Sequence, residues 1–321
     1  MLDDLHFVKG AVGKRELVKG MTHFQIENGR IYSYNGNISL SSPIALDFNC
    51  SPKADLMIKA IENCRDATQM VLTGNGKLSI RSGGFSANVT CIDEPLPHVV
   101  PAGEIVALDA EAFINAFRVL LPFIGTNSMY AFSTGVRMKG SCVTATNNVI
   151  FVEYWTGSAF PHEVVIPRAA VQELLRIKEV PTHIQYNQNN MTFLYPSGRW
   201  LNTTLLDVRW PETDPLFAAE HHPTEIDHTL FGALETIEPF CDDVGSVYIE
   251  NGTVRTHFEK GEGASNTIAN QAIYGRYQIQ MLKMLKGVAQ KIDMTCYDAK
   301  KLSPSIFYGD RLRGIISGMR L

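Results

Sequence analysis

The fold of this chain is decided by residues 164–217, VVIPRAAVQELLRIKEVPTHIQYNQNNMTFLYPSGRWLNTTLLDVRWPETDPLF. The segment opens on an apolar strand, and Pro167 then suits the first helical position, where its missing N–H costs no hydrogen bond. Apolar residues recur over residues 170–175 at the i, i+3, i+4 spacing of a half-buried helix. The polar clusters 188–190 and 196–198 are typical of turns between strands. The segment therefore predicts a strand, an amphipathic helix and three more strands.

The same plan recurs on both sides of this segment, and such internal repetition is the first property to establish in a long chain. From residue 51, SPKADLMIKAIENC has a helical pattern and precedes strands around the turn Gly74-Asn75-Gly76. From Tyr277, YQIQMLKMLKGV has a helical pattern and precedes the last strands. The chain therefore contains three helix-then-strands units of one kind.

A second kind of unit precedes each of these three. Apolar-striped helices are predicted over residues 110–123 and 226–240, each followed by strands. At the N-terminus the corresponding helix is expected to be only a turn near residues 7–18. The strand pair after it, with Asn28-Gly29 between its strands, matches the pair around Asn251-Gly252, and Asn-Gly is a strong hairpin signal.

Three α+β domains follow from these repeats, with two helices and antiparallel sheets in each and a shortened first copy. Their predicted bounds are residues 1–102, 103–217 and 218–321. The joints fall in the Pro-containing stretches 97–103 and 215–223, which have the composition of linkers. A length of 321 residues is also enough for two or three domains.

Composition points to a globular protein with a substantial core, since 45% of the residues are hydrophobic and 19% are charged. No apolar run approaches the length needed to span a bilayer, and the N-terminus lacks the apolar centre of a signal peptide. Six cysteines are scattered without a CxxC pair, so we expect reduced thiols, a cytoplasmic location and no metal site. A net charge of −4 excludes a uniformly basic nucleic-acid-binding surface but allows a local basic stripe.

Four short motifs occur in an order that resembles one known family. They are VTATNN at 143–148, VIPR at 165–168, LDVRWP at 206–211 and MRL at 319–321. In that order they are similar to the ATDGHRL, VPRK, LVDGRFPDY and MPMRL patterns of the bacterial DNA sliding clamp, the beta subunit of DNA polymerase III. The chain departs from the family at residues 147–150 and 317–318. It therefore resembles a divergent clamp, for which a phage origin is one interpretation.

This resemblance implies the DNA clamp fold and a mechanism without catalysis. Two chains would close head-to-tail into a homodimeric ring of six domains around double-stranded DNA, without sequence preference. The expected partners are the replicative DNA polymerase and the clamp loader, and neither a cofactor nor a membrane is expected. Three questions stay open. They are whether the ring is a dimer or has another stoichiometry, which polymerase and loader it serves, and whether the shortened first repeat forms a normal ring interface.

A ring that holds DNA needs basic residues on the helices that line its hole, because phosphate contacts are electrostatic. Basic residues do concentrate on the helix-then-strands units, whereas the other helices are mainly acidic. For any single residue, a solvated helix face is the alternative. The resemblance adds Lys14 and Arg15, which lie near a DNA-contacting Arg of the family. It also strengthens the prediction for Arg168, which matches a basic position of the family directly. The full predicted set is Lys14, Arg15, Lys53, Lys59, Arg118, Arg168, Arg176, Lys178, Arg276, Lys283 and Lys286.

The resemblance also implies a pocket for short peptides of polymerases and loaders. Apolar residues of this kind could form a groove for Leu or Phe anchors, although core packing is the alternative for each. A Met near the chain end suits a site that accepts several partners. The predicted residues are Thr146, Asn148, Val149, Ile150, Phe151, Pro211, Leu216, Ile315, Ile316, Met319, Arg320 and Leu321.

Enzymatic function has little support in the sequence. The glycine-rich stretches at 74–76 and 82–84 lack the context of a phosphate-binding loop. His221-His222 is interpreted as linker, and Cys241 beside two Asp residues has no histidine at motif spacing. The alternative to a clamp is a β-rich structural or ligand-binding protein, such as a virion component, that forms no ring.

Overall fold

The computed structural model of the chain describes residues 1–94, 96, 99–107, 109–126, 129–218, 220–257, 262–270, 272–294 and 304–320. As predicted, helices and antiparallel sheets are mixed. The α-helices are α1 Leu2–Lys9, α2 Ala54–Glu62, α3 Ala110–Leu120, α4 Arg168–Arg176, α5 His228–Ile237 and α6 Ile279–Lys283. Short 3-10 helices cover Leu121–Phe123, Ala131–Thr134, Asp214–Phe217 and Glu238–Phe240. No described helix is long and apolar enough to cross a membrane.

The strands pair antiparallel throughout the described ladders. They are β1 Gln25–Glu27, β2 Arg30–Tyr34, β3 Ile38–Pro43, β4 Ser51–Pro52, β5 Thr68–Thr73, β6 Lys77–Ser82, β7 Phe85–Ile92, β8 Glu104–Ala107, β9 Gly135–Thr146, β10 Ile150–Pro167, β11 His183–Tyr186, β12 Asn190–Leu194, β13 Trp200–Thr204, β14 Thr224–Glu225, β15 Ser246–Glu250, β16 Thr253–Arg255, β17 Ser265–Thr267, β18 Gly275–Gln278, β19 Lys291–Asp293, β20 Ser305–Gly309 and β21 Leu312–Ile316.

The chain folds into two compact units, each made of two stretches. The first comprises residues 1–114 and 169–207, and the second comprises 115–168 and 208–321. The first unit contains the sheets β1-β2-β3-β13-β12-β11-β8 and β4-β7-β6-β5. The second contains β14-β19-β20-β21-β10-β9 and β17-β16-β15-β18. Because β3 pairs with β13 and β10 pairs with β21, one sheet in each unit joins strands of two predicted repeats; the three domain bounds stay a prediction.

The helices predicted from apolar spacing are confirmed, with their apolar faces in the cores. On α4, Ala170 and Val171 are fully buried and Leu174 is 1% exposed. Burial of one such aliphatic side chain stabilises the fold by about 1.5–3 kcal/mol. Asp227 caps α5 as its side chain accepts a hydrogen bond from Thr229 N at 2.6 Å.

The Asn-Gly turns are confirmed as tight hairpin turns. Asn28 and Gly29 have φ of 51° and 71° between β1 and β2. Asn251 and Gly252 have φ of 50° and 72° between β15 and β16. Positive φ at both central residues is the backbone that a two-residue hairpin needs, and Asn and Gly adopt it at least cost.

Two expectations about helices are wrong. The N-terminus forms the helix α1 where only a turn near residues 7–18 was expected. Eight residues suffice because Leu5 and Val8 are fully buried and Arg199 Nη2 lies 2.8 Å from Asp4 Oδ1. The last predicted helix is also shorter than expected, since Tyr277 belongs to β18 and α6 begins only at Ile279.

Candidate DNA and peptide interfaces

Four of the basic residues predicted to contact DNA are exposed and make neither an ion pair nor a side-chain hydrogen bond within the described part of the chain. Lys14 and Arg15 lie in the loop after α1, Lys59 lies on α2, and Lys178 follows α4. An exposed lysine that no carboxylate neutralises keeps its full charge for a phosphate. These four positions are therefore the best placed of the set for contact with a polyanion.

Arg168 instead holds the end of a neighbouring helix. Its Nη1 donates to the carbonyl oxygens of Leu121 at 2.8 Å and of Ile124 at 2.5 Å. Burial lowers the pKa of the guanidinium, although an arginine stays charged. The side chain is half-buried, so part of it still faces outward. Arg168 thus has a structural role that the sequence did not predict.

Arg176 is also committed to contacts within its unit. Its Nε donates to both carboxylate oxygens of Glu173, at 2.9 and 3.0 Å. Its Nη2 donates to Phe7 O at 2.8 Å, near the end of α1. Glu173 is only 8% exposed, so a charge removed from this pair would leave an unpaired buried carboxylate.

In the second unit, the lysines of the α6 region pair with acidic residues of the α5 region. Lys283 Nζ lies 2.5 Å from Glu238 Oε2, and Lys286 Nζ lies 2.5 Å from Glu235 Oε1. The hydrogen bond from the lysine lowers the pKa of each carboxyl. Because the lysines of the α6 region are paired with acids of the α5 region, their charge is neutralised locally.

Lys53, Arg118 and Arg276 complete the set and differ from one another. Lys53 precedes α2, and its Nζ donates to Thr22 Oγ1 at 3.2 Å. Arg118 is exposed on α3, where its Nη1 donates to Asn115 Oδ1 at 2.6 Å. Arg276 was expected on a helix but lies on strand β18, where it contacts the C-terminal residues.

The predicted peptide-site residues around the β9–β10 turn are brought together with the end of β21. Ile150 pairs with Ile316, and Phe151 pairs with Ile315. The turn has its own support, since Asn147 Oδ1 accepts from Ile150 N at 2.7 Å. Asn148 has a φ of 71°. The Asn-Asn pair therefore builds the tight turn for which the resembled family has Asp-Gly.

Burial divides the peptide-site residues into a core group and a surface group. Ile150 and Ile316 are fully buried, and Phe151 and Ile315 are 5% and 7% exposed. They pack in the core because β10 lies between β9 and β21. Thr146 is also buried, and its Oγ1 donates to Ile150 O. In this structure these side chains are buried, as the core-packing alternative expected, and their place in a peptide groove stays a prediction.

The surface group is what a partner could touch. Leu216 is 40% exposed on the 3-10 helix Asp214–Phe217, and Pro211 is exposed just before it. Asn148 and Arg320 are exposed, whereas Val149 and Met319 are half-buried. Leu321 lies outside the described residues.

Sequence reasoning missed Phe217 and Arg313. The ring centroids of Phe217 and Phe151 are 6.0 Å apart, and the Arg313 guanidinium carbon lies 4.2 Å from the Phe217 centroid. Arg313 is held in turn by Glu153, at 2.8 Å. These contacts fix the 3-10 helix that carries Leu216 onto strands β10 and β21. The available signal was an aromatic residue directly after Leu216 in a Pro-containing segment.

The histidines interpreted as linker contact strand β19 within the second unit. His222 N donates to Asp293 Oδ2 at 2.6 Å, and His221 Nδ1 lies 3.8 Å from the same oxygen. Asp293 is 1% exposed. Among the described residues, no cluster of three or more His, Cys, Asp or Glu side chains has the arrangement of a metal site.

No protein-family profile and no curated protein sequence matches this chain. Solved structures of bacterial clamps do match it. The beta subunit from the DNA polymerase of Streptococcus pyogenes is 14% identical, with a TM-score of 0.84. The DNA polymerase sliding clamp of Bacillus subtilis is 14% identical, with a TM-score of 0.82. The Helicobacter pylori beta clamp bound to a DNA ligase peptide is 13% identical, with a TM-score of 0.77. Each match covers 100% of this chain and 97% of the other.

The fold predicted from the motif order is therefore confirmed: this chain has the fold of the DNA polymerase III beta sliding clamps. Identities of 12–14% across these structures also agree with the divergence seen in the motifs.

Proposed function

We propose that this chain is a DNA sliding clamp, a non-catalytic ring that encircles duplex DNA and tethers the replicative DNA polymerase. The observation that carries the proposal is the likeness to solved clamps over the full length of the chain. The mechanism is topological, since a closed ring cannot leave DNA sideways. It requires no reacting side chain, only a closed interface, a weakly basic lining and a docking site for partners.

The pairing of the sheets supports closure between two copies. Strand β3, which follows the Asn28-Gly29 hairpin, pairs with β13, the last strand of a helix-then-strands unit. The first part of β10, after the Asn147-Asn148 turn, pairs in the same way with β21. In the last repeat the corresponding strand is β17, and in the first repeat it is β7. One edge of β17, along residues 265–267, is not paired with any described strand. The same is true of one edge of β7 along residues 85–89.

We infer that β7 of one copy pairs with β17 of the next. Such a head-to-tail contact closes into a ring when the rotation fits, and three repeats in each chain then favour two chains. A groove of about 210 Å³ borders β7 and α2 and is lined in part by Leu56, Ala60, Phe85 and Ala87. Leu56 is 48% exposed, an apolar exposure that a subunit contact would cover.

The charges support weak, sequence-independent binding of DNA. Lys14, Arg15, Lys59 and Lys178 carry free charge, while Lys283 and Lys286 are neutralised by acids. A net charge of −4 opposes tight binding to a polyanion and is compatible with sliding.

Partner peptides of the polymerase and the clamp loader would dock on the surface group around Leu216 and Met319. The H. pylori clamp is bound to a DNA ligase peptide and the Pseudomonas aeruginosa clamp to griselimycin. By analogy, the proposed site here combines exposed apolar side chains with the C-terminal residues. The replacement of the family's Asp-Gly-His-Arg at 147–150 predicts a different peptide preference.

Oligomeric state and retention on DNA test this proposal together. We expect a dimer by light scattering at micromolar concentration, and retention on circular but not linear duplex after loading. Leu56→Lys with Phe85→Lys should give monomers that are not retained. Val71→Lys is the matched control, because Val71 is 60% exposed on β5, at the opposite edge of the same sheet. A strict monomer without retention would instead favour the β-rich structural protein.

A further inference from the structure

The C-terminal residues follow a fixed path across the second unit. After β21, Ser317 N donates to Val149 O at 2.9 Å, beside the β9–β10 turn. Two residues later, Met319 N donates to Arg276 O at 2.7 Å, on strand β18. The tail, residues 317–320, is therefore tied at one point to the six-stranded sheet and at the other to the four-stranded sheet.

The side chain of Arg276 holds the same tail from a second direction. One end of its guanidinium, Nη1, donates to the carbonyl oxygen of Arg320. The other end, Nη2, donates to Ser246 Oγ at 2.9 Å, and Ser246 is fully buried. The guanidinium carbon also lies 5.2 Å from the ring centroid of Tyr248. Ser246 and Tyr248 thus orient the planar guanidinium of Arg276, and its Nη1 reaches the tail.

We propose that Arg276 is a positioning residue for the peptide site: it fixes Met319 and Arg320 in the conformation that a partner peptide contacts. This inference depends on the proposed docking function of the tail. A tail ordered before binding does not have to be ordered by the peptide, so less free energy is lost on association. Lysine cannot replace the arginine, because its single ammonium group cannot reach two acceptors through a rigid fork.

Ser246 also limits where the tail can lie. Its Oγ, which accepts from Arg276, is 4.0 Å from the sulfur of Met319. The thioether is therefore held beside a polar group instead of being buried in the core. A half-buried methionine in this position can adapt to different apolar anchors of a peptide.

A double-mutant cycle tests the proposal. The probes are the fluorescein-labelled DNA ligase peptide and griselimycin, and their affinities are measured by anisotropy and by competition. Arg276→Ala should weaken both affinities by about tenfold, the effect of one charge-assisted hydrogen bond. Arg276→Lys should be nearly as weak. In a variant lacking residues 318–321, Arg276→Ala should cause no further loss, because the residue acts through the tail.

Arg255→Ala provides the matched control. Arg255 lies on β16 of the same sheet and pairs with Glu250 at 3.0 Å, but it has no described contact with the tail. Its loss should leave probe affinity unchanged. Hydrogen exchange supplies a readout independent of binding: the Met319 amide should exchange faster in Arg276→Ala than in the parent protein.

Three results would overturn the inference. They are unchanged affinity in Arg276→Ala, an equal loss with and without the tail, and unchanged exchange at Met319. Absence of binding of both probes by the parent protein, with faster Met319 exchange in Arg276→Ala, would refute docking of these two ligands and leave Arg276 as a structural tail clamp only.

Discussion

Arg168→Glu should destabilise the second unit strongly, although Arg168 is the basic residue that the sequence matched most directly to a DNA contact. The substitution removes the donors to Leu121 O and Ile124 O. It also places a carboxylate beside the carbonyl end of α3 and its 3-10 extension, where negative charge is unfavourable.

The magnitude follows from these contacts. Hydrogen bonds from a charged donor contribute about 1.5–3 kcal/mol each, and the half-buried setting of Arg168 favours the lower end. The two bonds together then contribute about 3 kcal/mol, and repulsion from the helix end adds about 0.3–1 kcal/mol. We therefore expect a loss of about 3–4 kcal/mol in the free energy of unfolding. Arg168→Lys should lose about half as much, since it keeps the charge and a single donor.

Urea denaturation measures these differences, with Lys178→Glu as the control. Lys178 is exposed just beyond the same helix and has no ion pair among the described residues, so its loss should change the free energy by less than about 0.5 kcal/mol. If Arg168→Glu is as stable as Lys178→Glu, the capping role of Arg168 is wrong. DNA binding should therefore be tested with Lys178→Glu, because this substitution is expected to change the charge without a large change in stability. Arg168→Glu would change both.

Two further predictions concern charge. In the first, Lys14, Arg15, Lys59 and Lys178 are all changed to Ala, and duplex binding is measured by anisotropy at several salt concentrations. The slope of log affinity against log salt should flatten by about 0.9 for each phosphate that the protein no longer neutralises, whereas changing the paired Lys286 should have little effect. An unchanged slope in the variant with four substitutions would argue against a role of these residues in DNA binding. Burial opposes ionisation of Asp4, but hydrogen bonds from Arg199 and Ser42 outweigh it and lower the pKa below 3.8. Its stabilising effect is therefore present above the unfolded-state pKa and is lost as pH falls through the lower folded-state pKa. Asp4→Asn should remove that part of the acid sensitivity in urea titrations, and an unaltered pH profile would contradict the pairing.

The fold was predictable because several weak signals agreed. The Asn-Gly hairpins and the apolar spacing of α3, α4 and α5 follow local rules, and both held. The overall architecture was predicted from the order of four motifs, and solved clamps that are only 12–14% identical to this chain share its fold. The helix α1 was not predicted because eight residues give too short a pattern. Its stability comes from the tertiary burial of Leu5 and Val8.

The site was less predictable, for a physical reason. Sequence shows that an arginine is present but not which acceptor its long side chain reaches. Arg168 turns to helix carbonyls, Arg176 to Glu173, and Arg276 to the tail. The apolar residues of the peptide site posed the same difficulty, since Ile150 and Ile316 are buried by strands that are distant in sequence. Patterns of residue type indicated a region, which stays a prediction, and left the orientation of each side chain open.

An electron-microscopy image of the purified protein tests the proposed ring most directly. The contact between β7 and β17 predicts particles with the mass of two chains, closed outlines and a central hole wide enough for duplex DNA. Leu56→Lys with Phe85→Lys should open or dissociate these rings. Solid particles with the mass of one chain, in a sample that remains folded, would contradict the ring and with it the proposed function.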